Sequence, residues 1–374
     1  MTGSAALRTP LHGRHVALGG RMVDFGGWDM PQQYTSIRDE HFAVRRVAGL
    51  FDVSHMGRLN VFGAGAEAFL QGVLTNDVSS LEPWRAQYNL MCLEDGGVID
   101  DLVVYRSAPD DFIVVVNASN REKDFAWLEE HRPKGVTMRD RSEEVGLLAF
   151  QGPRAEELLP PGTDDLRALP YFGFTKARVA GVDGFVSRTG YTGEDGFELF
   201  VPAARIGDVW DAILEHGRGD GVLPAGLGAR DACRLEAALR LYGNDMDETV
   251  NPYEAGLGWT VKLAKSDFVG RPALAAIKES GPRRTMVGMK SEPASILRHG
   301  ATVKAQGRPV GTVTSGTHSF FLGHPIALAL VEVASLRIGE KATVEVRGRE
   351  AEAEVVKLPF YRGSARSGVA PGKP

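Results

Sequence analysis

The chain has 374 residues, which is enough for two or three domains of ordinary size. Its hydrophobic content of 43% and charged content of 24% are typical of a soluble globular protein, and its net charge of −5 argues against a general affinity for nucleic acid or anionic membranes. The N-terminus lacks the apolar stretch of a secretory signal, and no run approaches the roughly 18 apolar residues that span a bilayer. We therefore expect a cytoplasmic protein with no nucleic-acid or membrane partner.

Cysteine and histidine are not arranged as metal ligands. The two cysteines, Cys92 and Cys233, are far apart in sequence, and buried structural thiols in a reducing compartment are expected. The nine histidines are scattered without the spacing of a metal-binding motif. His55 is the most distinctive of them, but a hydrogen-bonded structural role is favoured. We expect no catalytic metal.

Separated helices and short strands follow one another irregularly, which is typical of an α+β fold rather than a strict βαβ repeat. Apolar runs at residues 112–116 and 147–150 predict two of the strands. Helical periodicity predicts four helices, at residues 64–73, 122–130, 206–216 and 227–241.

The pattern changes near residues 280–284, where we expect a domain boundary. Beyond it, residues 308–315 are strand-like, and residues 342–346 and 351–355 alternate on either side of a turn, which predicts a hairpin with one solvated face. The last ~80 residues are therefore predicted to form a small all-β barrel or sandwich.

Residues 63–68 read G-A-G-A-E-A and fit a loose dinucleotide-binding fingerprint between a strand-like run and a helix. No second strand with an acidic residue follows at the spacing that this motif requires. A tight turn into an amphipathic helix is the favoured interpretation.

Two consecutive acidic residues, Asp100 and Asp101, follow Gly96-Gly97 and open an otherwise apolar strand. Neighbouring residues of a strand point to opposite faces, so both carboxylates cannot enter one pocket unless the strand kinks. This argues against a glycosidase-like pair and for one functional acid. The alternative is an acidic turn residue before a strand.

A second polar group lies in the glycine-rich residues 188–199. Tyr191 offers a flat stacking surface with a polar tip, and Glu198 enters a strand among apolar neighbours. A buried glutamate needs partners, and a ligand with two adjacent N–H donors would satisfy it. The alternative is a solvated hairpin, because Thr-Gly and Asp-Gly are ordinary turn sequences.

A third group lies at the start of the predicted helix after Gly226. Arg230 falls in its first turn, where a cation is unfavourable to the helix dipole and a compensating anion is plausible. Arg234 lies one turn further along the same face. The alternative is a surface ion pair, either Arg230 with a glutamate or Arg234 with Asp231, which would contribute little.

Taken together, segments spread over almost the whole chain resemble those of the T-protein family of the glycine cleavage system, whose members are folate-dependent aminomethyltransferases. Each segment alone is a weak signal, but ten in the family's order are highly specific. The segments are residues 9–11, 22–31, 50–57, 74–78, 96–105, 115–124, 151–153, 190–198, 226–236 and 254–259.

The resemblance implies a three-domain cloverleaf arrangement around a central folate cavity, with two interleaved α+β lobes and a C-terminal β-barrel. The lobes are expected at residues 9–280 and the barrel at 281–362, with flexible tails at 1–8 and 363–374. The resemblance also implies that Asp101 is the catalytic acid. The positions that match folate-lining residues of the family are Met56, Tyr88, Asp101, Asn117, Tyr171, Tyr191, Glu198 and Arg230.

The reaction implied by the resemblance transfers a one-carbon unit from the aminomethyl-dihydrolipoyl arm of H-protein to tetrahydrofolate. Ammonia is released and methylenetetrahydrofolate forms. Two alternatives are a folate-dependent demethylase of the same superfamily and a non-catalytic folate-binding accessory protein, but the motifs around Asp101 and Glu198 favour the aminomethyltransferase. A monomer or weak oligomer is expected, and Arg283, Arg284 and Arg298 are candidates for contact with an acidic carrier.

Two segments differ from the family's usual pattern, residues 251–253 and 317–325. The second lies in the predicted barrel, whose loops face the cavity in the family, so it bears on the identity of the one-carbon donor.

Overall fold

The computed structural model describes residues 6–293, 295–346 and 348–365. Within these ranges the α-helices are α1 His12–Ala17, α2 Ile37–Arg46, α3 Ala66–Val73, α4 Arg121–His131, α5 Ile206–Gly217, α6 Leu227–Glu236 and α7 Arg271–Ser280. The strands are β1 Arg21–Phe25, β2 Trp28–Gln33, β3 Gly49–Asp52, β4 Gly57–Phe62, β5 Arg85–Cys92, β6 Val98–Ala108, β7 Asp111–Val116, β8 Thr137–Asp140, β9 Val145–Gln151, β10 Phe174–Val179, β11 Val182–Ser187, β12 Gly196–Pro202, β13 Leu223–Pro224, β14 Arg284–Ser291, β15 Thr302–Ala305, β16 Arg308–Ser319, β17 His324–Glu332, β18 Lys341–Val346 and β19 Arg349–Val356.

Helices α3, α4 and α5 agree closely with three of the predicted helices, and β7 and β9 with the two predicted apolar strands. Helix α2 is an additional element. The Ser36 side chain caps it by accepting the Asp39 N–H, which satisfies one of the free donors at its start.

Two sheets form the body that precedes the barrel. One has the strand order β5-β6-β7-β4-β8, and the other has the order β10-β11-β12-β9-β3-β13, ending in the parallel pair β13–β3. Strand β3 precedes all five strands of the first sheet and β9 follows them, yet β3 and β9 pair side by side. The two sheets are therefore interleaved in sequence.

Strands β14-β17-β16-β15-β18-β19 close into a barrel. The predicted hairpin is β18 and β19, whose pairing runs from Lys341 with Glu354 to Val346 with Arg349. Alternate residues such as Val344 are buried in the barrel core, while their neighbours face solvent. The predicted α+β fold class with a C-terminal β-barrel is confirmed.

A shared hydrophobic core joins the two sheets. Tyr105 and Val115 contribute from the five-stranded sheet, and Phe51, Leu147 and Phe200 from the six-stranded sheet. Tyr105 and Phe200 meet edge to face with their ring centroids 5.3 Å apart, a geometry worth about 0.5–1.5 kcal/mol beyond area burial. This core brings the polar residues at its margin into one region.

Helix α6 connects this body to the barrel through buried charges. Glu236 accepts hydrogen bonds from His41 and Arg45 of α2 and from the Ser319 hydroxyl of β16. Ser319 belongs to the residues 317–325 that differ from the family's usual pattern. This segment therefore takes part in joining the barrel to α2 and α6.

Arg234 makes a second buried connection to the barrel. It is 2% exposed, pairs with Asp231 and Asp245, and donates to the Ser315 hydroxyl of β16 at 2.8 Å. The alternative of a surface Arg234–Asp231 pair is wrong, because the guanidinium is enclosed between α6 and the barrel.

Helix α6 ends five residues earlier than the predicted end at residue 241. Its end is a Schellman motif, in which Leu239 N–H donates to the Arg234 carbonyl and Ala238 N–H to the Leu235 carbonyl. Ala238 takes the left-handed position of this motif with φ 55°. Glycine is usual there, so the sequence carried no stop signal before Gly243.

Residues 63–68 form the turn between β4 and α3. Gly63 and Gly65 have φ of 105° and 93°, in the region that favours glycine. Strand β4 pairs antiparallel with both β7 and β8, so it does not begin a parallel dinucleotide-binding unit. The tight-turn interpretation is confirmed.

Parts of both expected tails make ordered contacts. Leu7 pairs with the β2 edge, and Ser364 hydrogen bonds to Glu194 while Ala365 N–H donates to the Gly193 carbonyl. The remainder of the tails, residues 1–5 and 366–374, lies outside the described residues.

Both cysteines are buried free thiols, as expected. No helix in the part of the chain that the structure describes is long and apolar enough to cross a membrane.

Replacing Arg234 should destabilise the junction between α6 and the barrel. Arg234→Ala leaves Asp245 buried without its cationic partner, and we expect the free energy of unfolding to fall by about 3–5 kcal/mol. Urea unfolding followed by fluorescence measures this change. Arg178→Ala is the control, because the Arg178–Asp164 pair is exposed and its loss should leave the urea midpoint almost unchanged. Equal midpoint shifts in the two variants would contradict the expected role of Arg234.

Candidate active site

Strand β6 begins with a β-bulge. Asp100 pairs with Met91 of β5 and Val98 pairs with Cys92, which leaves Ile99 as an extra residue on β6. A bulge bends the strand and interrupts the regular ladder. The acidic pair therefore begins immediately after a bend in the strand.

The side-chain amide of Asn117 donates to both acidic residues. Its Nδ2 lies 2.9 Å from Asp100 Oδ1 and 2.8 Å from Asp101 Oδ1. Strand β7 ends just before Asn117, and the turn that follows adds Asn120, whose Nδ2 lies 2.7 Å from Asp100 Oδ1. The prediction that strand geometry separates the two carboxylates is therefore wrong, because both reach one amide at the end of the strand.

The two acidic residues differ in their access to solvent. Asp100 is fully buried, whereas Asp101 is half-buried and accepts a 2.9 Å hydrogen bond from the Tyr88 hydroxyl. Tyr88 stacks on Trp259 with ring centroids 5.9 Å apart. Burial and, second, the nearby charge of Asp100 raise the pKa of Asp101 to about 7. Asp101 is thus an acid that changes its protonation near neutral pH, as groups at active sites often do.

Glu198 lies on β12 and connects the two sheets. It accepts hydrogen bonds from the Tyr105 hydroxyl of β6, at 3.0 Å, and from the Thr189 hydroxyl. Both bonds go to Oε2, and within the described residues Oε1 accepts no hydrogen bond. Glu198 is half-buried, so it presents one uncommitted carboxylate oxygen at an accessible position. Glu198 therefore does not lie in a solvated hairpin, which was the alternative interpretation.

Arg230 lies near the Glu198 carboxylate but forms no ion pair with any described residue. Its guanidinium carbon lies 4.7 Å from the centroid of the Tyr191 ring, and its side chain has no hydrogen-bond partner in the described ranges. Burial lowers the pKa of Arg230, while Tyr191 and Glu198 act in the opposite direction. A half-buried cation that relies on an aromatic face and a nearby carboxylate is suited to bind an anionic or acceptor group of a ligand.

His55 is buried near Arg230, and its Nδ1 has no partner within the described residues. Burial lowers the pKa of His55 to about 3, so the ring is neutral at physiological pH. Its ring meets Phe25 edge to face at 5.7 Å. The expected structural role fits this aromatic contact, but the hydrogen bond expected at Nδ1 is not formed by any described residue.

All eight residues carried over from the family are half-buried, and several of them contact one another directly. Asp101 and Asn117 contact each other directly, and Tyr88 and Tyr191 extend this group towards Arg230. Tyr171 lies within electrostatic range of Glu198, and Met56 packs at the margin of the core between the sheets. The structure therefore brings these side chains together in one region.

Several residues of this region were given no role from the sequence. Tyr105 and Thr189 hold Glu198, and Asn120 holds Asp100. Each lies inside or next to a segment that matches the family, and this location was the signal in the sequence that could have identified it as a site residue. Trp259 and Asp124 also lie in matching segments.

Within the described residues, no group of three or more His, Cys, Asp or Glu side chains is placed to hold a metal ion.

Comparison with known families agrees with this arrangement. Residues 11–265 match the GCVT N-terminal domain, and residues 284–362 match the glycine cleavage T-protein C-terminal barrel domain. The chain therefore belongs to the glycine cleavage T-protein family.

Individual relatives define the activity more closely. The aminomethyltransferase of Herpetosiphon aurantiacus is 50% identical over 95% of this chain and 98% of its own length, and that of Thermotoga sp. is 51% identical over 96% and 99%. The crystal structure of the glycine cleavage system aminomethyltransferase T from Bartonella henselae superimposes with a TM-score of 0.89 at 33% identity, covering 97% of this chain and 99% of that one. This chain is an aminomethyltransferase of the glycine cleavage system.

The charge of Asp100 should control the protonation of Asp101. We expect the carboxyl carbon of Asp101, observed by ¹³C NMR and assigned with Asp101→Asn, to titrate near pH 7. In Asp100→Asn the pKa of Asp101 should fall, because removal of a neighbouring negative charge favours the ionised form. Asp140→Asn, on the distant strand β8, should leave it unchanged. A midpoint near 4 in the wild-type protein, the ordinary value for an aspartate at about 3.9, would contradict this assignment.

Proposed function

We propose that tetrahydrofolate is the co-substrate of this aminomethyltransferase and that the one-carbon donor is the aminomethyl group on the dihydrolipoyl arm of H-protein. The observation that carries the proposal is the joint placement of Asp101, Glu198 and Arg230. A proton-accepting carboxylate, a carboxylate with a free oxygen and an unpaired cation surround one partly accessible region. Tetrahydrofolate has chemical groups that complement each of them.

Glu198 is proposed to bind the pterin. The pterin ring presents two adjacent N–H donors, and a carboxylate with one uncommitted oxygen can accept from such a donor pair. The hydroxyl of Tyr105 fixes the other oxygen and so orients the carboxylate. Tyr191 and Tyr171 offer aromatic faces next to this position, and Met56 an apolar one.

Arg230 is proposed to bind an acceptor or carboxylate group of the same ligand. Its guanidinium lacks a hydrogen-bonded partner in the described part of the chain, so a ligand anion would compensate a charge that burial otherwise penalises. The Tyr191 ring beneath it restricts where that anion can lie, because the two groups share one face.

Asp101 is proposed to act at the reacting centre. A folate nitrogen forms a bond to the aminomethyl carbon, the bonds from that carbon to sulfur and to the amine nitrogen break, and the second folate nitrogen completes the methylene bridge. Ammonia and the dihydrolipoyl thiol leave, and the two protons lost from the folate nitrogens balance them. The ionised Asp101 carboxylate can stabilise the iminium-like positive charge and accept a proton. Tyr88 and Asn117 hold this carboxylate on two sides, which supports positioning as a large part of the rate.

Two of the three candidate arginines are proposed to form the surface that contacts the carrier protein. Arg283 and Arg298 are exposed and available to an acidic carrier. Arg284 instead pairs with Glu254 and donates to the Thr249 carbonyl, so its charge is already used within the chain.

We also propose a cytoplasmic location and a monomer or weak oligomer.

Asp101→Asn should abolish most turnover while the protein stays folded. The amide cannot accept the proton or stabilise positive charge, and we expect turnover to fall by about 100-fold or more. The assay supplies tetrahydrofolate and aminomethylated H-protein and measures ammonia and methylenetetrahydrofolate. Circular dichroism and the urea midpoint serve as controls for folding.

Two outcomes of this assay would contradict the proposal. A wild-type protein that binds folate but forms neither product would remove the proposed donor, and product from a methylamine substrate instead would favour a demethylase. If Asp101→Asn stays active, Asp101 is not the working acid.

Glu198→Ala should weaken folate binding without unfolding the protein. Loss of a charge-assisted pair of hydrogen bonds predicts affinity lower by about tenfold to a hundredfold in isothermal titration calorimetry with tetrahydrofolate. Glu157→Ala, which changes an exposed glutamate paired with Arg154, is the control. Unchanged affinity in Glu198→Ala would remove Glu198 from the pterin pocket.

A further inference from the structure

Asp124 is a buried acid whose carboxyl oxygens have no hydrogen-bond partner among the described residues. It lies in the first turns of α4 and is 0% exposed. Within the described residues, no N–H or O–H group donates to either of its carboxyl oxygens. A buried carboxylate that accepts no hydrogen bond is costly, so Asp124 requires another explanation.

The polar group that Asp124 faces is the carboxyl of Asp100. Asp100 already accepts three N–H donors: the Asn117 backbone and amide nitrogens, at 3.1 and 2.9 Å, and the Asn120 amide nitrogen, at 2.7 Å. The Asp100 oxygens thus already have donors, whereas neither oxygen of Asp124 has one within the described residues. Two ionised carboxyls would repel each other, so the contact becomes a hydrogen bond only if Asp124 holds a proton.

The charges around Asp124 agree with this assignment. Asp100 and Asp101 face it from β6, and both are acidic. Lys123 is the nearby cation on its own helix, but its Nζ is directed to the Ile99 carbonyl and the Tyr242 hydroxyl, at 2.8 and 3.0 Å. The start of a helix favours a negative charge, but no helix N–H of the described residues donates to Asp124. Burial and, second, the charge of Asp100 raise the pKa of Asp124 to about 10.

We propose that Asp124 is a protonated acid that donates a hydrogen bond to Asp100 and, through Asp100 and Asn117, holds Asp101 in position. Asp124 is a positioning residue, since Asp100 and Asn117 separate it from Asp101. The protonation of Asp124 is independent of the substrate, whereas its effect on turnover rests on the proposed role of Asp101.

Protonation has a measurable consequence for stability. An unfolded aspartate loses its proton near pH 4, at about 3.9, whereas folded Asp124 keeps it until about pH 10. Between these values folding takes up one proton, so stability falls as the pH rises. Asp124→Asn carries a permanent amide donor, needs no proton and lacks this dependence.

The first experiment therefore compares urea unfolding of the wild-type protein and Asp124→Asn from about pH 6 to about pH 9. We expect the variant to be the more stable one, and the ratio of the two unfolding equilibrium constants to grow by up to about tenfold per pH unit. A ratio that stays constant with pH, or a variant that becomes the less stable one as the pH rises, would overturn the assignment of a proton to Asp124.

Asp52 provides a matched control of opposite sign. It is also buried, but it accepts hydrogen bonds from His15 and from the Ser54 N–H. Burial acts to raise the pKa of Asp52, yet these hydrogen bonds outweigh it and hold the pKa below its usual value. Its ionised form thus contributes stability at neutral pH that is lost as the pH falls, so Asp52→Asn should be less stable than the wild-type protein.

The second experiment tests positioning through turnover. Asp124→Asn preserves the donor and should retain activity, whereas Asp124→Ala removes it and should lose about tenfold to a hundredfold in turnover, as small misplacements of a catalytic group do. Full activity in Asp124→Ala, or an equal loss in both variants, would overturn the positioning role. If the wild-type protein itself is inactive with tetrahydrofolate and aminomethylated H-protein, the proposed function fails, while the urea experiment still decides the protonation of Asp124.

Discussion

The two hydrogen bonds that Asn117 makes to consecutive aspartates constrain the rest of the site. Asp100 and Asp101 pair with consecutive residues of β5, Met91 and Leu90, so the ladder is regular at the two acids. The amide of Asn117, just beyond the end of β7, nevertheless reaches both carboxylates. Once both acids share one amide, the charge of Asp100 acts on Asp101 at short range and raises its pKa. The electrostatics of the proposed reacting centre thus depend on the close placement of the two acids around one amide.

A second constraint brings the distant parts of the site together. Tyr105 follows Asp101 on β6, and its hydroxyl reaches Glu198 on β12 across the core shared by the two sheets. Strands β3 and β9 of one sheet enclose the other sheet in sequence, and the two sheets share one hydrophobic core. The carboxylate proposed to bind pterin and the acid proposed to act on the carbon are therefore held by the same packed layers. Helix α6 carries Arg230 into this region and is itself anchored to the barrel by Arg234.

The sequence predicted much of the fold and proposed a set of site residues, but not the contacts between them. Motif order identified Asp101, Glu198 and Arg230, and periodicity located most helices, since both signals are local. The end of α6 was misplaced because Ala238 takes a position that glycine usually marks. Asp100 and Asp101 were assigned to separate pockets because strand alternation carries no information about a side chain of the next strand, here Asn117, that contacts both carboxylates. The burial of Arg234 depends on Asp245 and Ser315, which only the tertiary fold brings to it.

Buried acids in this protein are accommodated in different ways, and the differences follow from their donors. Asp52 accepts hydrogen bonds from a histidine and a backbone N–H and stays ionised, and Asp100 accepts hydrogen bonds from three amide N–H groups. Asp124 accepts no hydrogen bond from the described residues, and a proton on its own carboxyl would reduce the cost of its burial. An asparagine would meet the same geometric need without proton uptake. An aspartate at this position thus makes the hydrogen bond to Asp100 depend on pH, and only well above the range in which Asp101 itself titrates.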